Sequence, residues 1–160
     1  RATLTRSGRK VAAAPSASPP KGGDIPARSV GSGNLATVRG ITVDASIAGN
    51  LAAMLAAAEA DGVSISGAGY RDPAGQIAVR RNNCGSSNFA IYEAPSSSCR
   101  PPTARPGQSM HERGLAIDFT SGGSVLNRGS AAFAWLKANA ARFGFSNLPS
   151  EAWHWSTNGN

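Results

Sequence analysis

The fold of this chain is decided by the stretch Ser109-Met110-His111-Glu112-Arg113-Gly114-Leu115-Ala116-Ile117-Asp118. Its second half alternates as a β-strand does, with Leu115, Ile117 and Phe119 on one face and Asp118 on the other. The apolar face predicts a strand that packs on a core. Because the carboxylate of Asp118 points away from those core side chains, we expect it to meet a polar or cationic partner.

The histidines of the chain lie in two distinctive settings. The sequence contains two of them, His111 in the stretch above and His154 in Glu151-Ala152-Trp153-His154. Two imidazoles and one carboxylate, here Asp118, are a sufficient ligand set for a catalytic zinc, which keeps its fourth position open for water. The helical H-E-x-x-H arrangement is absent, so these ligands would come from separate segments. On the residues alone, a metal site and two structural histidines are about equally supported.

Upstream of this stretch the sequence predicts a β-like run over residues 35–43, followed by a helix. Asp44 is placed to cap that helix, whose apolar stripe repeats at spacings of three and four until Asp61-Gly62. Residues 63–67 then alternate as a strand and lead into a turn at residues 70–73.

The regions further along give a mixed pattern. Residues 80–107 are expected to form a loop with one short apolar piece at residues 89–92. Ser130 is placed to cap a second helix that Gly144 ends, and residues 151–155 alternate as a strand with Glu151 and His154 on opposite faces. Helices and short strands without a regular βαβ repeat predict an α+β fold.

Cys84 and Cys99 are the only cysteines, and both lie in a segment dense in Gly, Ser, Asn and Pro. Their spacing matches neither a zinc ribbon nor a redox motif, so we expect a disulfide formed in an oxidising compartment. Two free structural thiols are the alternative.

The net charge of +7 is concentrated in residues 1–34, where six basic residues face one acid, whereas residues 35–160 carry ten basic and eight acidic residues. The composition of residues 1–34 predicts a flexible linker, with weak attraction to anionic envelope polymers. A near-neutral body argues against specific nucleic-acid binding. The sequence predicts no transmembrane segment in this chain, because no apolar run is long enough to span a bilayer.

Several motifs in order resemble one known family. Ser109-x-His111-x-x-Gly114-x-Ala116-x-Asp118, followed by Glu151-x-Trp153-His154, resembles the zinc D-Ala-D-Ala carboxypeptidases of the VanY type, the LAS metallopeptidases. Residues 66–71, with Gln76 soon after, resemble that family's S-G-Y-R…Q segment, although Ala68-Gly69 is extra before Tyr70. The likeness covers about residues 41–156. It implies a small antiparallel sheet flanked by helices, a Hedgehog/DD-peptidase-like fold, in a domain over residues 35–160.

The resemblance also implies a role for each matching residue. His111, Asp118 and His154 match the ligands of one Zn²⁺ per chain. Glu151 matches the catalytic carboxylate that takes a proton from the attacking water, and Arg71 matches a basic residue that binds the substrate carbonyl and the developing oxyanion. Three further matches are expected to contact substrate: Ser109, Gln76 and Tyr70.

The expected function is hydrolysis of the terminal D-Ala-D-Ala bond of peptidoglycan stem peptides by a protein secreted to the bacterial cell envelope. Glu151 with Trp153-His154 favours this bond, and the Cys84 to Cys99 loop is placed to roof the cleft and affect substrate choice. The alternatives are a peptidoglycan endopeptidase with the same zinc site and a non-catalytic, zinc-stabilised domain that binds the cell wall.

Overall fold

A computed structural model describes residues 34–160. The predicted basic linker, residues 1–34, lies outside the described residues except for Asn34. The chain begins with a hairpin of two antiparallel strands, β1 (Leu35–Val38) and β2 (Ile41–Asp44). The turn residues Arg39 and Gly40 both have positive φ, as the central residues of a type I′ hairpin turn do. The single β-like run predicted for residues 35–43 is therefore wrong in one respect, because the chain reverses in its middle.

Helix α1 (Ala45–Ala60) follows directly and confirms the predicted cap. The Asp44 carboxylate accepts a hydrogen bond of 2.9 Å from the backbone N–H of Ser46, and Asp61 closes the other end. The predicted stripe is buried against the core: Ile47, Leu51, Met54, Leu55 and Ala58.

Helix α2 (Pro73–Cys84) begins at the end of the predicted turn and extends into the predicted loop. The expected loop over residues 80–107 is therefore wrong for residues 80–84. The start signals are present in the sequence. The Asp72 carboxylate accepts a hydrogen bond of 2.7 Å from the N–H of Gly75, and proline occupies the first helical turn. The helix has no apolar stripe to reveal it, because the residues it buries are Gln76 and Arg80. Short helical turns follow at Phe89–Glu93 and Ser96–Ser98.

The second sheet is antiparallel and centres on β4 (Ala116–Ser121). Strand β3 (Ser66–Ala68), shorter and later than the predicted residues 63–67, pairs with one edge of β4, and β7 (His154–Ser156) pairs with the other. The two remaining strands are short, β5 (Ser124–Val125) beside β4 and β6 (Ser146–Asn147) beside β7. The register places Asp118 between Ala68 and His154.

Helix α3 (Ala131–Asn139) closes the core and continues as a tight turn at Ala140–Phe143, which Gly144 ends in the left-handed conformation. Ser130 accepts a hydrogen bond of 3.1 Å from the N–H of Phe133, as its predicted cap role requires. One apolar core joins α1, α3 and the inner face of the sheet. The predicted α+β fold, small antiparallel sheets with helices, is confirmed. None of the helices in residues 34–160 has the length and apolar character to cross a membrane.

Candidate metal centre and active site

The ligand atoms of His111, Asp118 and His154 lie within 4.8 Å of one another. Asp118 Oδ1 lies 3.1 Å from His111 Nε2 and 3.0 Å from His154 Nδ1, and the two ring nitrogens are 3.2 Å apart. Asp118 comes from the middle of β4, His154 from the first residue of β7, and His111 from the turns that precede β4. The fold thus brings together all three predicted ligands.

The hydrogen bonds on the far sides of both rings decide which nitrogens carry protons. His111 Nδ1 lies 2.7 Å from the backbone oxygen of Gly69, and His154 Nε2 lies 3.0 Å from that of Asn160. Because a backbone oxygen accepts, each of these nitrogens is an N–H donor, which leaves the other nitrogen of each ring to face the cleft. When the rings are neutral, the two facing nitrogens and Asp118 Oδ1 present three converging lone pairs. This donor set fits a zinc ion, and carbonyls that orient the rings are typical of metal-binding histidines.

The pKa values of Asp118 and His154 are both shifted by their mutual contact. Burial by itself would raise the pKa of Asp118, but hydrogen bonds from His111 and His154 outweigh it and hold that pKa well below its usual range. Burial by itself would lower the pKa of His154, but the hydrogen bond with Asp118 and the contact with the Asn160 backbone raise it above the ordinary value.

The turns that present His111 are held from two sides. Ser109 Oγ accepts a hydrogen bond of 3.2 Å from the N–H of His111, and the Glu112 carboxylate accepts the N–H groups of Gly107 and Ser109. Glu112 therefore closes the turn and is not a fourth ligand. Gly114 has φ +69°, and a Cβ there would lie 2.5 Å from the backbone nitrogen of Asp44. Glycine at this motif position lets the ligand loop pack on the start of α1.

Glu151 lies in a turn and not in the strand that its alternation predicted. Its backbone oxygen accepts a hydrogen bond of 3.2 Å from the N–H of His154, so the two side chains line one cleft and not opposite faces of a strand. Glu151 is 7% exposed, and burial raises the pKa of its carboxyl despite the nearby His154. A buried carboxyl with a raised pKa beside a metal site suits proton transfer.

Arg71 lies at the edge of the same cleft, held at both ends. Its Nη1 donates to Gln76 Oε1 at 2.9 Å, its Nη2 lies 3.5 Å from Asp118 Oδ2, and its backbone N–H donates to His111 O at 3.1 Å. The guanidinium is thus placed beside the ligand set by the site's own residues.

The three predicted substrate contacts differ in placement. Ser109 and Gln76 line a cleft of about 230 Å³ together with Arg71, Glu151 and the three ligands, but Gln76 is only 1% exposed. Its amide is already used, since Nε2 donates to Ala104 O at 2.8 Å while Oε1 accepts from Arg71. Tyr70 is half-buried and is not among the residues that line the cleft; its backbone N–H donates to Thr42 O.

Sequence reasoning missed the far wall of the cleft, residues 101–104, and the backbone oxygen of Gly69. Glycine is required at position 69, because a Cβ there would lie 2.2 Å from Thr42 O. The expected disulfide between Cys84 and Cys99 is present, and the alternative of two free thiols is wrong. Trp155 is buried in the core, whereas Trp153 packs against the core and also lines the cleft.

Comparisons with known proteins agree with this geometry. The family model described as VanY, D-alanyl-D-alanine carboxypeptidase, matches residues 40–160. A D-alanyl-D-alanine carboxypeptidase of Enterococcus faecalis is 29% identical over 130 residues, which are 72% of this chain and 48% of that protein. The chain therefore spans about half the length of the curated relative that it matches.

Solved structures give the same result. The vancomycin resistance D,D-pentapeptidase VanY from a VanB-type cassette, a glutamate-to-alanine mutant in complex with Zn(II), superposes with a TM-score of 0.61 at 27% identity, covering 76% of each chain. VanYB in complex with D-alanine-D-alanine gives 0.61 at 26% identity, covering 76% of this chain and 75% of that one. The L,D-carboxypeptidase LdcB gives 0.54 at 26% identity, covering 72% of this chain and 58% of that one.

Proposed function

Since the chain belongs to the VanY family of D-alanyl-D-alanine carboxypeptidases, we propose that residues 35–160 form a zinc-dependent D,D-carboxypeptidase domain. Its substrates are peptidoglycan stem peptides, and the bond it hydrolyses is the terminal D-Ala-D-Ala bond. The observation that carries this proposal is the convergence of three lone pairs, from His111, Asp118 and His154, in a cleft that also holds Glu151 and Arg71.

His111 Nε2, Asp118 Oδ1 and His154 Nδ1 are the atoms that would hold the zinc ion. When bound, zinc supplies a Lewis acid that polarises a carbonyl and acidifies a coordinated water. The rings need no rearrangement to receive it, because Gly69 and Asn160 already fix their tautomers.

Glu151 is the proton carrier of the proposed reaction. Its carboxylate takes a proton from the attacking water and then gives it to the leaving amine of the terminal D-alanine. Burial, which raises the pKa of this carboxyl, makes both transfers easier because it brings the carboxyl closer in basicity to the groups with which it exchanges a proton.

Arg71 is the fixed cation of the site. Its guanidinium can bind the carbonyl oxygen of the scissile bond and stabilise the negative charge that grows there during attack. Gln76 holds Nη1 in place, so little reorganisation is needed when that charge develops.

The proposed function implies a location outside the cytoplasm. The Cys84–Cys99 disulfide supports an oxidising compartment, and the proposed substrate lies outside the cytoplasm, so we place the domain in the bacterial envelope or the surrounding medium. The excess of basic residues in positions 1–34 supports weak binding of that tail to anionic envelope polymers.

The test is digestion of purified muropeptides with the zinc-loaded protein, followed by mass spectrometry of the products. Loss of one alanine from pentapeptides supports the carboxypeptidase, and scission within the stem or cross-bridge would instead support the endopeptidase alternative. Glu151→Gln should lower kcat by about 10²- to 10⁴-fold while one zinc per chain is retained.

Glu93→Gln is the matched control, because Glu93 is exposed and is not among the residues lining the cleft. Unchanged turnover in Glu151→Gln would reject the mechanism. A wild-type protein that binds zinc and muropeptides without turnover would support the non-catalytic alternative.

A further inference from the structure

One face of α2 is polar and turned toward the protein. Gln76, Arg80 and Asn83 are spaced by four and three residues, so their side chains lie on the same face of the helix. All three make hydrogen bonds to the segment between Ala90 and Ala104. The position of α2 against the protein is therefore fixed on this face by hydrogen bonds rather than by apolar packing.

Arg80 is the centre of this face and is 0% exposed. Its Nε donates to Ile91 O at 2.9 Å, and its Nη2 donates to Ala90 O and Ala94 O at 2.6 and 2.8 Å. Its Nη1 donates to Thr103 O at 2.7 Å and to Cys99 Sγ at 3.2 Å. The five N–H groups of the guanidinium therefore have five acceptors, none of them a carboxylate. A buried charge that is stabilised by backbone oxygens fixes the path of the chain that supplies them.

The neighbours of Arg80 hold the same segment at further points. Asn83 Nδ2 donates to Thr103 Oγ1 at 2.9 Å, and Gln76 Nε2 donates to Ala104 O at 2.8 Å. The N–H of Arg100 donates to Asn83 O at 2.9 Å, and the disulfide joins the end of α2 to Cys99. Residues 101–104, which we call the wall segment, are thus held at both ends although they form neither helix nor strand.

The wall segment lines the same cleft as Arg71, Glu151 and the three ligands. It consists of two prolines, a threonine and an alanine, which are small and uncharged, whereas the charged lining residues belong to the metal centre and to Arg71. The cleft therefore has a reactive part and a neutral part.

We propose that the wall segment is a binding surface for the uncharged part of the stem peptide, and that Arg80 is the positioning residue that fixes it. This inference rests on the proposed function. Arg80 acts on substrate binding, hence on KM, and not on the chemical step, because all of its side-chain hydrogen bonds go to residues 90–103 and none to the proposed ligands, Glu151 or Arg71.

Arg80→Met is the decisive variant, and Arg81→Met is its matched control, since Arg81 is the exposed neighbour on the same helix. With a synthetic stem pentapeptide ending in D-Ala-D-Ala, KM should rise about tenfold or more in Arg80→Met while kcat stays within about threefold of the control. The zinc content should remain one per chain. Hydrogen–deuterium exchange at the amides of Thr103 and Ala104 should be faster than in the control.

A purely structural role would lower the amount of active enzyme, and thus the apparent kcat, without moving KM. Equal KM in the two variants, or equal exchange at Thr103 and Ala104, would overturn the proposal. If Arg80→Met does not fold, Asn83→Ala decides, because it removes the bond to Thr103 Oγ1. Asn83 also lines the cleft, so KM is read together with hydrogen–deuterium exchange at Thr103 and Ala104. KM should rise about threefold with faster exchange, and an unchanged KM or unchanged exchange rejects the proposal.

Failure of the proposed function has a different signature, which is a wild-type protein that releases no D-alanine. The Kd of the same pentapeptide, measured by calorimetry on wild type, Arg80→Met and Arg81→Met, then replaces KM. Equal Kd values for the two variants would again overturn the role of the wall segment.

Discussion

The carboxylate of Asp118 contacts Arg71 with one oxygen and His154 with the other. Oδ2 of Asp118 lies 3.5 Å from Nη2 of Arg71, while Oδ1 lies 3.0 Å from His154 Nδ1. The proposed metal ligand thus also contacts the cation proposed to bind the substrate carbonyl. His111 and His154 stabilise the anionic form of Asp118. We therefore expect a change at this side chain to affect metal binding and substrate binding together.

Replacement of Asp118 by asparagine keeps the shape and removes the charge. We expect Asp118→Asn to weaken zinc binding by at least about 100-fold, because a first-sphere ligand matters more than the outer partners whose loss costs about 10- to 100-fold. Competition with a chromogenic chelator measures this affinity. Asp72→Asn is a control on an exposed helix cap, and its zinc affinity should equal that of the wild type. Equal zinc affinity in Asp118→Asn would remove Asp118 from the ligand set.

Gly69 orients His111 through its backbone oxygen. In Gly69→Ala the new Cβ would lie 2.2 Å from Thr42 O, so the backbone must shift and the 2.7 Å bond to His111 Nδ1 must change. We expect a loss of zinc affinity of about 10- to 100-fold. Gly49→Ala is the matched control, because nothing lies within 4 Å of its Cβ and alanine stabilises a helix interior by roughly 0.5 to 1 kcal/mol relative to glycine. Isothermal titration with Zn²⁺ compares the two, and equal affinities would contradict this role of Gly69.

Zinc affinity should fall as the pH is lowered, since a proton competes for the same lone pairs. The hydrogen bond with Asp118 outweighs burial and raises the pKa of His154 above its ordinary value, so in the metal-free protein this ring gains its proton earlier during acidification than a free histidine. Zinc must then displace that proton, and binding releases it. Chelator competition at a series of pH values from about 8 to 5.5 measures the effect around the ordinary histidine pKa of about 6.5. An affinity that is constant over this range would show that His154 is not a ligand.

The disulfide should stabilise the domain by constraining the unfolded chain. The cysteines are separated by 15 residues. For a loop of that length the chain-entropy model gives roughly 3 kcal/mol. The double variant Cys84→Ser with Cys99→Ser should therefore melt roughly 10 °C below the wild type. Reductant should lower the wild-type Tm to that of the double variant and leave the variant unchanged. A reductant-insensitive wild type would contradict this account.

The start of α1 and the end of α3 could be predicted because their signals are local. Asp44 caps α1 and Gly144 ends the turn after α3, each through contacts within a few residues along the chain. Helix α2 was missed for the opposite reason. Its buried residues, Gln76 and Arg80, are polar, and their partners lie 28 and between 10 and 23 residues away along the chain. No periodicity of apolar residues marks a helix that is held by distant backbone oxygens.

The sequence by itself predicted which residues form the site, because two histidines, an aspartate and a glutamate occur in ordered motifs that predict three ligands and a base. Only the tertiary structure decided how they meet. The pairing of β4 with β7 brings His154 beside Asp118 across 36 residues, and a turn that breaks the alternation of residues 151–155 brings Glu151 to the same cleft. Residue types fix what a group can donate or accept, whereas register and turns, which depend on contacts distant in sequence, fix which groups face each other.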